Sequence, residues 1–343
     1  MTARSELFRF SPWGPPAAIL LLAALPLAAL PLGGLSDQHL RLAAEILILG
    51  TAVLSLDLLI GYGGLVSLGQ AAMFGVGAYA GALFASHATP ELGLVLLAGA
   101  ASATIVGAVM GALVMRSANL FLLILTLLLS QMVWEVIFRW RAVTGGADGF
   151  RGIPPLVVSL PGGPLALDGA APLYAVAALL AGGALLAARS FVAAPIGRAL
   201  AGTREQPIRM TALGYSIPRI RLSAFVVSSA IAGAAGALYP FVNLYVGPQV
   251  AHWTMSATFV IMLVMGGVGT LYGGYAGAAI YLVFQTHISS YTDRWQLVVG
   301  LVFVATVLFV PRGLVRGLRR RVPPMRPAAA GGTATLEKNG SAP

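Results

Sequence analysis

An all-α, polytopic integral membrane protein with eight to ten transmembrane helices, at least one of them glycine-broken or re-entrant, follows from three features of this chain. Hydrophobic residues fill 58% of its 343 positions and charged residues only 9%, against roughly 25% charged in an ordinary soluble domain. The apolar stretches are continuous rather than alternating, which reads as helices and not as barrel strands. Most are near the ~20 residues that a helix needs to cross ~30 Å of hydrocarbon. The basic residues, finally, fall in clusters between these stretches, so the formal net charge of +10 expresses membrane topology and no affinity for nucleic acid.

Apolar runs occupy about 16–35, 42–60, 65–86, 92–115, 118–138, 171–191, 219–242, 254–286 and 295–311. Arg4 and Arg9 precede the first, but it is longer than the ~7 to 15 apolar residues of a signal-peptide core. It is therefore expected to be a retained span after an N-terminal cytoplasmic segment, 1–15, opening a transmembrane domain over 16–311. The most basic connections are 195–221, with Arg198, Arg204, Arg209, Arg219 and Arg221 beside Glu205, and the tail from Arg312 to Arg326. Both are expected in the cytoplasm. An even number of crossings must then separate them, so 254–286 crosses twice or re-enters, turning at the G-G-V-G-T of Gly266–Thr270. Six runs precede the basic loop, which puts the N-terminus inside and the link 139–170 outside, although Arg139, Arg141 and Arg151 in that link run against the charge rule. The tail 312–343 reads as basic and then, from Pro327, as Ala/Gly/Pro-rich and disordered.

Seven glycines lie between Gly61 and Gly81, in G-Y-G-G-L-V-S-L-G-Q and its continuation. Glycine at that density weakens a helix by up to ~1 kcal/mol per residue relative to alanine. Broken helices aim free backbone groups at a substrate near the midplane, which makes Ser67, Gly69 and Gln70 candidate pathway residues. Gly77 and Gly81 form a G-x-x-x-G, better read as close helix packing. Asp57 and Glu45 share one predicted helix but lie about 120° apart around it. Asp57 is either a structural partner of the glycine break or a pathway residue, because a carboxylate inside a span is costly and usually functional. In the basic loop, Pro207 suits a first helical position and Gly214 a C′ position; the segment is either a short docking helix or a solvated connection. A compact basic loop held between spans is a handle for a cytoplasmic partner.

Enzyme chemistry has no foothold. The only lysine is Lys338, in the tail, so no G-x-x-x-x-G-K-[ST] phosphate loop exists. There are no cysteines, and His39, His87, His252 and His287 lack metal-ligand spacing. No catalytic residue, metal or cofactor is expected.

The glycine-rich G-Y-G-G-L-V-S-L-G-Q-A-A-M-F-G-V-G-A-Y, the T-G-G-A-D-G at Thr144–Gly149, the loop R-E-Q-P-I-R-M-T-A-L-G, the S-A-F-V-V-S-S-A-I-A-G-A-A-G-A-L-Y after it, the G-G-V-G-T-L-Y-G and the closing F-V-P-R-G-L resemble the LivM-type permeases of branched-chain amino acid ABC importers, over about residues 45–315. The resemblance implies a transport subunit without bond chemistry of its own, in a bacterial inner membrane. It implies two ATPase subunits, a second homologous permease and an external solute-binding protein as partners, and branched-chain or other hydrophobic amino acids as cargo. Carried over by position, it places Arg204, Glu205, Ala212 and Gly214 in the loop that couples to the ATPase, and Gly266, Gly267, Gly269 and Gly273 in a late glycine turn. Gln70 stands where many relatives have histidine, Gly274 where proline is common, and Pro207 and Arg209 where acidic and small residues are more usual. A stand-alone secondary transporter or channel, with Asp57 or Glu45 as its ion-coupling group, is the alternative.

Overall fold

The computed structural model describes residues 36–304, apart from Arg116, Ala118, Asn119, Pro161, Gly162, Thr292, Asp293, Trp295, Val299 and Val302. The N-terminal segment 1–15, the first expected span 16–35, the end of the run 295–311 and the tail 312–343 lie outside the described residues.

The chain forms α1 (Asp37–Asp57), which continues through a π turn (Leu58–Tyr62), then α2 (Gln70–His87), α3 (Leu92–Val114), α4 (Leu120–Arg139) and the single turn α5 (Arg141–Thr144). A two-stranded hairpin, β1 (Val157–Leu160) and β2 (Gly163–Ala166), follows, paired antiparallel with Val157 opposite Ala166. After it come α6 (Ala170–Ala193), α7 (Pro195–Glu205), α8 (Pro207–Ala212), α9 (Ile217–Asn243), α10 (Trp253–Gly266) and α11 (Gly273–Ser289). Five of these, α1 with its π turn, α3, α4, α6 and α9, are long and apolar enough to cross a membrane unaided. This is a multi-pass membrane protein; the hairpin is a small addition to its helical architecture.

Two ends of the bundle can be told apart. At one, Arg204 of α7 and the Gly267–Tyr272 connection meet the π turn of α1. At the other, the Arg41 guanidinium donates to the Val242 carbonyl (2.9 Å), Phe150 and Val246 exchange backbone bonds, and Val157 N–H reaches the Pro90 carbonyl. These are called the loop end and the hairpin end below. The link 139–170 and the basic loop 195–221 therefore sit at opposite ends.

α9 is the axis of the packing, in contact with α1, α2 and α3. Its small residues let backbones approach: a Cβ on Gly77 would strike the Gly233 backbone, and one on Gly81 would lie 2.9 Å from Ala237 Cα. That is the close packing expected of the G-x-x-x-G.

Two apolar runs are not single helices. Residues 63–69 leave the helical path, and α2 begins only at Gln70, level with Ser228 near the middle of α9. The run 254–286 divides into α10, 14 residues, and α11, 17 residues. At ~1.5 Å per residue these reach about 21 and 25 Å. They fold back on each other, since a Cβ on Gly277 would collide with the Met262 carbonyl, and their tip points to the loop end. Gly266 ends α10 and Gly273 opens α11, so of the four glycines expected to form the late turn only Gly267 and Gly269 lie within the non-helical connection.

Candidate functional site

Starting a helix inside a bundle exposes N–H groups that have no intrahelical partner, and in hydrocarbon each must find one. Hydroxyls from three places supply them. Leu68 N–H donates to Thr126 Oγ1 of α4 (3.1 Å), Gly69 N–H to Ser67 Oγ (3.1 Å), and Ala71 N–H to Ser256 Oγ of α10 (2.9 Å). Beside this start the Gln70 amide donates to Ser55 Oγ of α1 (2.5 Å) and Ser228 Oγ of α9 (3.0 Å), while Ser228 Oγ donates to the Ser55 carbonyl (2.6 Å). Ser55, Ser67, Gln70, Thr126, Ser228 and Ser256 are all buried. One turn beyond Thr126, the buried Ser130 Oγ has no partner among the described residues, nor does Gln131 Oε1. The middle of the bundle thus holds an uncharged patch of hydroxyl and amide groups around a half-helix start.

Toward the loop end, Asp57 is fully buried. One carboxylate oxygen accepts Gly269 N–H (2.6 Å) and the other accepts Leu271 N–H (2.9 Å). The connection between α10 and α11 needs that support, because Gly267 (φ +120°), Gly269 (+78°) and even Leu271 (+61°) take left-handed backbone conformations, uncommon for a leucine. Thr270 braces it from within, donating to the Gly267 carbonyl (2.8 Å) and accepting Gly273 N–H (3.0 Å). Gly61 has no room for a side chain, since a Cβ there would meet Asp57 Oδ1 and lie 2.7 Å from Gly269 N. Glu45, the other carboxylate of α1, is half-buried and nearer the hairpin end.

At the loop end itself, α7 and α8 each start with proline at a first helical position, where the missing N–H costs nothing. α8 closes in a Schellman arrangement: Tyr215 N–H donates to the Met210 carbonyl and Gly214 N–H to the Thr211 carbonyl, with Gly214 at φ +84°. No residue of α8 is buried; Ile208 is 87% and Leu213 66% exposed. Glu205, Ala212 and Gly214 face outward as well. Arg204 points the other way: its guanidinium donates to the Gly61 carbonyl and its aliphatic stem packs over Gly64, whose φ of +65° makes the turn out of α1. A cavity of about 330 Å³ opens beside it, between residues 64–66, Leu120, Leu123 of α4 and Arg221 of α9.

The structure therefore brings Ser67, Gly69 and Gln70 together in the mid-bundle patch, joins Asp57 to the glycine connection, and leaves Glu205, Ala212 and Gly214 on a protruding surface to which Arg204 supplies the root. Sequence reasoning missed Ser55, Thr126, Ser228 and Ser256, which lie in long apolar runs. The signals that could have found two of them are the paired Ser228–Ser229 and the Thr254, Ser256, Thr258 spacing. Among the described residues, no group of three or more His, Asp or Glu side chains is placed to hold a metal ion.

A multi-pass bundle with an unwound, hydroxyl-lined helix start at its centre is built as a membrane permease. Residues 39–307 match the family described as "Branched-chain amino acid transport system / permease component", and the chain belongs to that family. It is 28% identical over 297 residues to the high-affinity branched-chain amino acid transport system permease protein LivM of Escherichia coli K12, an alignment covering 81% of this chain and 70% of the relative. The LivM protein of Salmonella typhimurium LT2 is 29% identical over 282 residues, 76% of this chain and 66% of the relative. A shorter stretch of 127 residues, 34% of this chain and 40% of the relative, is 29% identical to a probable LivH permease of Methanocaldococcus jannaschii. No solved structure matches the chain.

Proposed function

We propose that this chain is the transmembrane subunit of an ATP-driven ABC importer for branched-chain or other hydrophobic amino acids in a bacterial inner membrane. It works with two ATPase subunits, a second homologous permease and an external solute-binding protein. In this reading the loop end faces the cytoplasm, α7–α8 dock on an ATPase, and cargo passes the patch of Ser67, Gly69 and Gln70 by alternating access. The observation that carries the reading is the protruding α8 and its C-cap, whose exposed Ile208 and Leu213 sit among arginines on a loop rooted by Arg204 in the broken end of α1. A partner shifts a conformational equilibrium only through different contacts in the two states, and this loop gives it both a surface to hold and an attachment to pull.

The cargo preference rests on the relatives' names; the patch offers hydroxyl and amide groups and no charged partner for an amino acid's carboxylate or ammonium. Against a stand-alone ion-coupled carrier stands the state of Asp57, with both oxygens occupied by backbone N–H groups. The deciding experiment is uptake in cells with the proton gradient collapsed or ATP depleted, together with co-purification. Uptake that survives the ionophore and stops without ATP, with an ATPase subunit that leaves when residues 204–214 are altered, supports the importer. Uptake that stops with the gradient, from a chain that purifies alone, overturns it.

A further inference from the structure

We infer that Arg204 and Asp57 form one mechanical linkage, joining the basic loop to the α10–α11 tip through the π turn of α1, and that both are positioning residues for transport. The inference deepens the proposed function and rests on it for the identity of the force that moves the loop.

The linkage has four members in series. Arg204, on α7, holds the Gly61 carbonyl at the end of the π turn. The π turn places Gly61 against the Asp57 side chain with no space between them. Asp57 in turn holds the N–H groups of Gly269 and Leu271. Those bonds fix Leu271 in its left-handed conformation and so set where α11 departs. The Tyr62 hydroxyl lies 3.5 Å from the Gly269 carbonyl, a looser parallel contact. From the same turn the chain leaves through Gly64, under the Arg204 stem, toward the start of α2. A displacement of α7 is therefore felt both at the α10–α11 tip and at the base of the segment that carries Ser67 to Gln70.

Each joint is of a kind that transmits force. Hydrogen bonds to a carboxylate or from a guanidinium are about twice as strong as neutral ones, and burial strengthens those of Asp57 further. π turns inside α-helices concentrate at functional positions. A residue held in a sparsely populated backbone region persists only while its surroundings impose it. Release of Asp57 thus frees Leu271 to leave the left-handed region and loosens the tip. Release of Arg204 frees Gly61, which stands against both the Asp57 carboxylate and the Gly269 amide it accepts from.

The chain has no native cysteine, so one introduced thiol reports on the tip without background. Val268, half-buried in the connection, carries the V268C reporter, labelled with a maleimide in membranes. Asp57→Asn keeps the shape but turns one acceptor into a donor facing a backbone N–H. It is expected to raise the labelling rate about tenfold, the local opening that follows loss of a charge-assisted buried bond. Arg204→Met, which keeps the stem and removes the guanidinium, is expected to raise labelling at least about threefold although it lies on another element, and to add nothing once Asp57 is Asn. Arg209→Met, on exposed α8, serves as the unlinked control and leaves labelling unchanged.

These measurements need no ATPase, so they stand or fall apart from the importer reading, which the energy-source and co-purification tests address. In the assembled transporter, both variants are then expected to lower substrate moved per ATP hydrolysed. Labelling that responds to Asp57→Asn but not to Arg204→Met breaks the series at the π turn and overturns the inference. So do effects that multiply in the double variant, or an unaltered ratio of uptake to ATP hydrolysis. Because Arg204 lies on an exposed loop, its variant remains informative even where Asp57→Asn fails to assemble.

Discussion

Replacing Gly77 by alanine tests the packing that holds the bundle together. The new Cβ would lie 2.6 Å from Gly233 Cα and 2.7 Å from its carbonyl carbon, against 3.4 Å or more in ordinary contact. The Gly233 carbonyl oxygen would be nearer still, so α2 and α9 must separate by about 1 Å, and well-packed cores resist such overpacking by about 1–3 kcal/mol. Alanine returns up to ~1 kcal/mol of helix propensity, leaving a net destabilisation of about 1–2 kcal/mol. At Gly81 the closest backbone atoms of Ala237 stand at 2.9 Å, still too near for a Cβ, so Gly81→Ala should destabilise as well, but by less than Gly77→Ala, up to about 1 kcal/mol by the same balance. Gly183 of α6 has nothing within 4 Å of a built Cβ; Gly183→Ala should be neutral or stabilising by up to ~1 kcal/mol. Thermal unfolding of the three variants in one detergent, followed by loss of the monodisperse species, should rank them Gly183, Gly81, Gly77 from most to least stable. A Gly77→Ala protein as stable as Gly183→Ala would refute the idea that α2 and α9 are locked by backbone contact.

Gln70→Leu removes the amide bonds to Ser55 and Ser228; at ~0.6 kcal/mol per buried membrane hydrogen bond, it should cost only about 1 kcal/mol of stability while changing uptake strongly. Equal uptake by wild type and Gln70→Leu would remove Gln70 from the pathway. Gly214→Val forces a β-branched residue to φ +84°, at about 1–2 kcal/mol, whereas asparagine tolerates that conformation. Valine should reduce ATPase association or uptake per ATP and asparagine should largely restore it; identical behaviour of the two would show that the Schellman turn is irrelevant. Ile208→Asp alters a side chain with almost no intramolecular contact, so thermal stability should stay within about 0.5 kcal/mol while ATPase co-purification falls. Retained association would move the docking surface elsewhere.

The continuous apolar runs gave away the helices, because membrane helices must be long and greasy whatever they pack against. The breaks were legible as well: glycine density marked 61–70, and charge parity required 254–286 to turn at its own G-G-V-G-T. What stayed hidden was which residues meet. Asp57 and Gly269 are 212 positions apart, and nothing local in either segment specifies the other. The starting point of α2 was missed for a related reason. Val66, Ser67 and Leu68 are ordinary span residues by hydropathy, and only the tertiary hydroxyls of Thr126 and Ser256 make it possible to leave their backbone outside a helix. Arg204 was recognised by its place in a basic loop, yet it differs from Arg209 and Arg219 only in having the Gly61 carbonyl within reach.

Three departures from regular helix meet in this molecule: the π turn at 58–62, the unwound 63–69 and the α10–α11 connection. A lone departure in hydrocarbon would leave backbone groups unpaired at several kcal/mol each. Gathered in one place, they largely pair through the few polar side chains the chain possesses. Asp57 serves the connection, Arg204 the π turn, and Thr126, Ser67 and Ser256 the start of α2. The gathering has a dynamic consequence. A shift of the α10–α11 connection would strip its amides from Asp57 beside the π turn, so these two departures are expected to move together. That coupling arises from the cost of unpaired backbone in lipid more than from any single side chain.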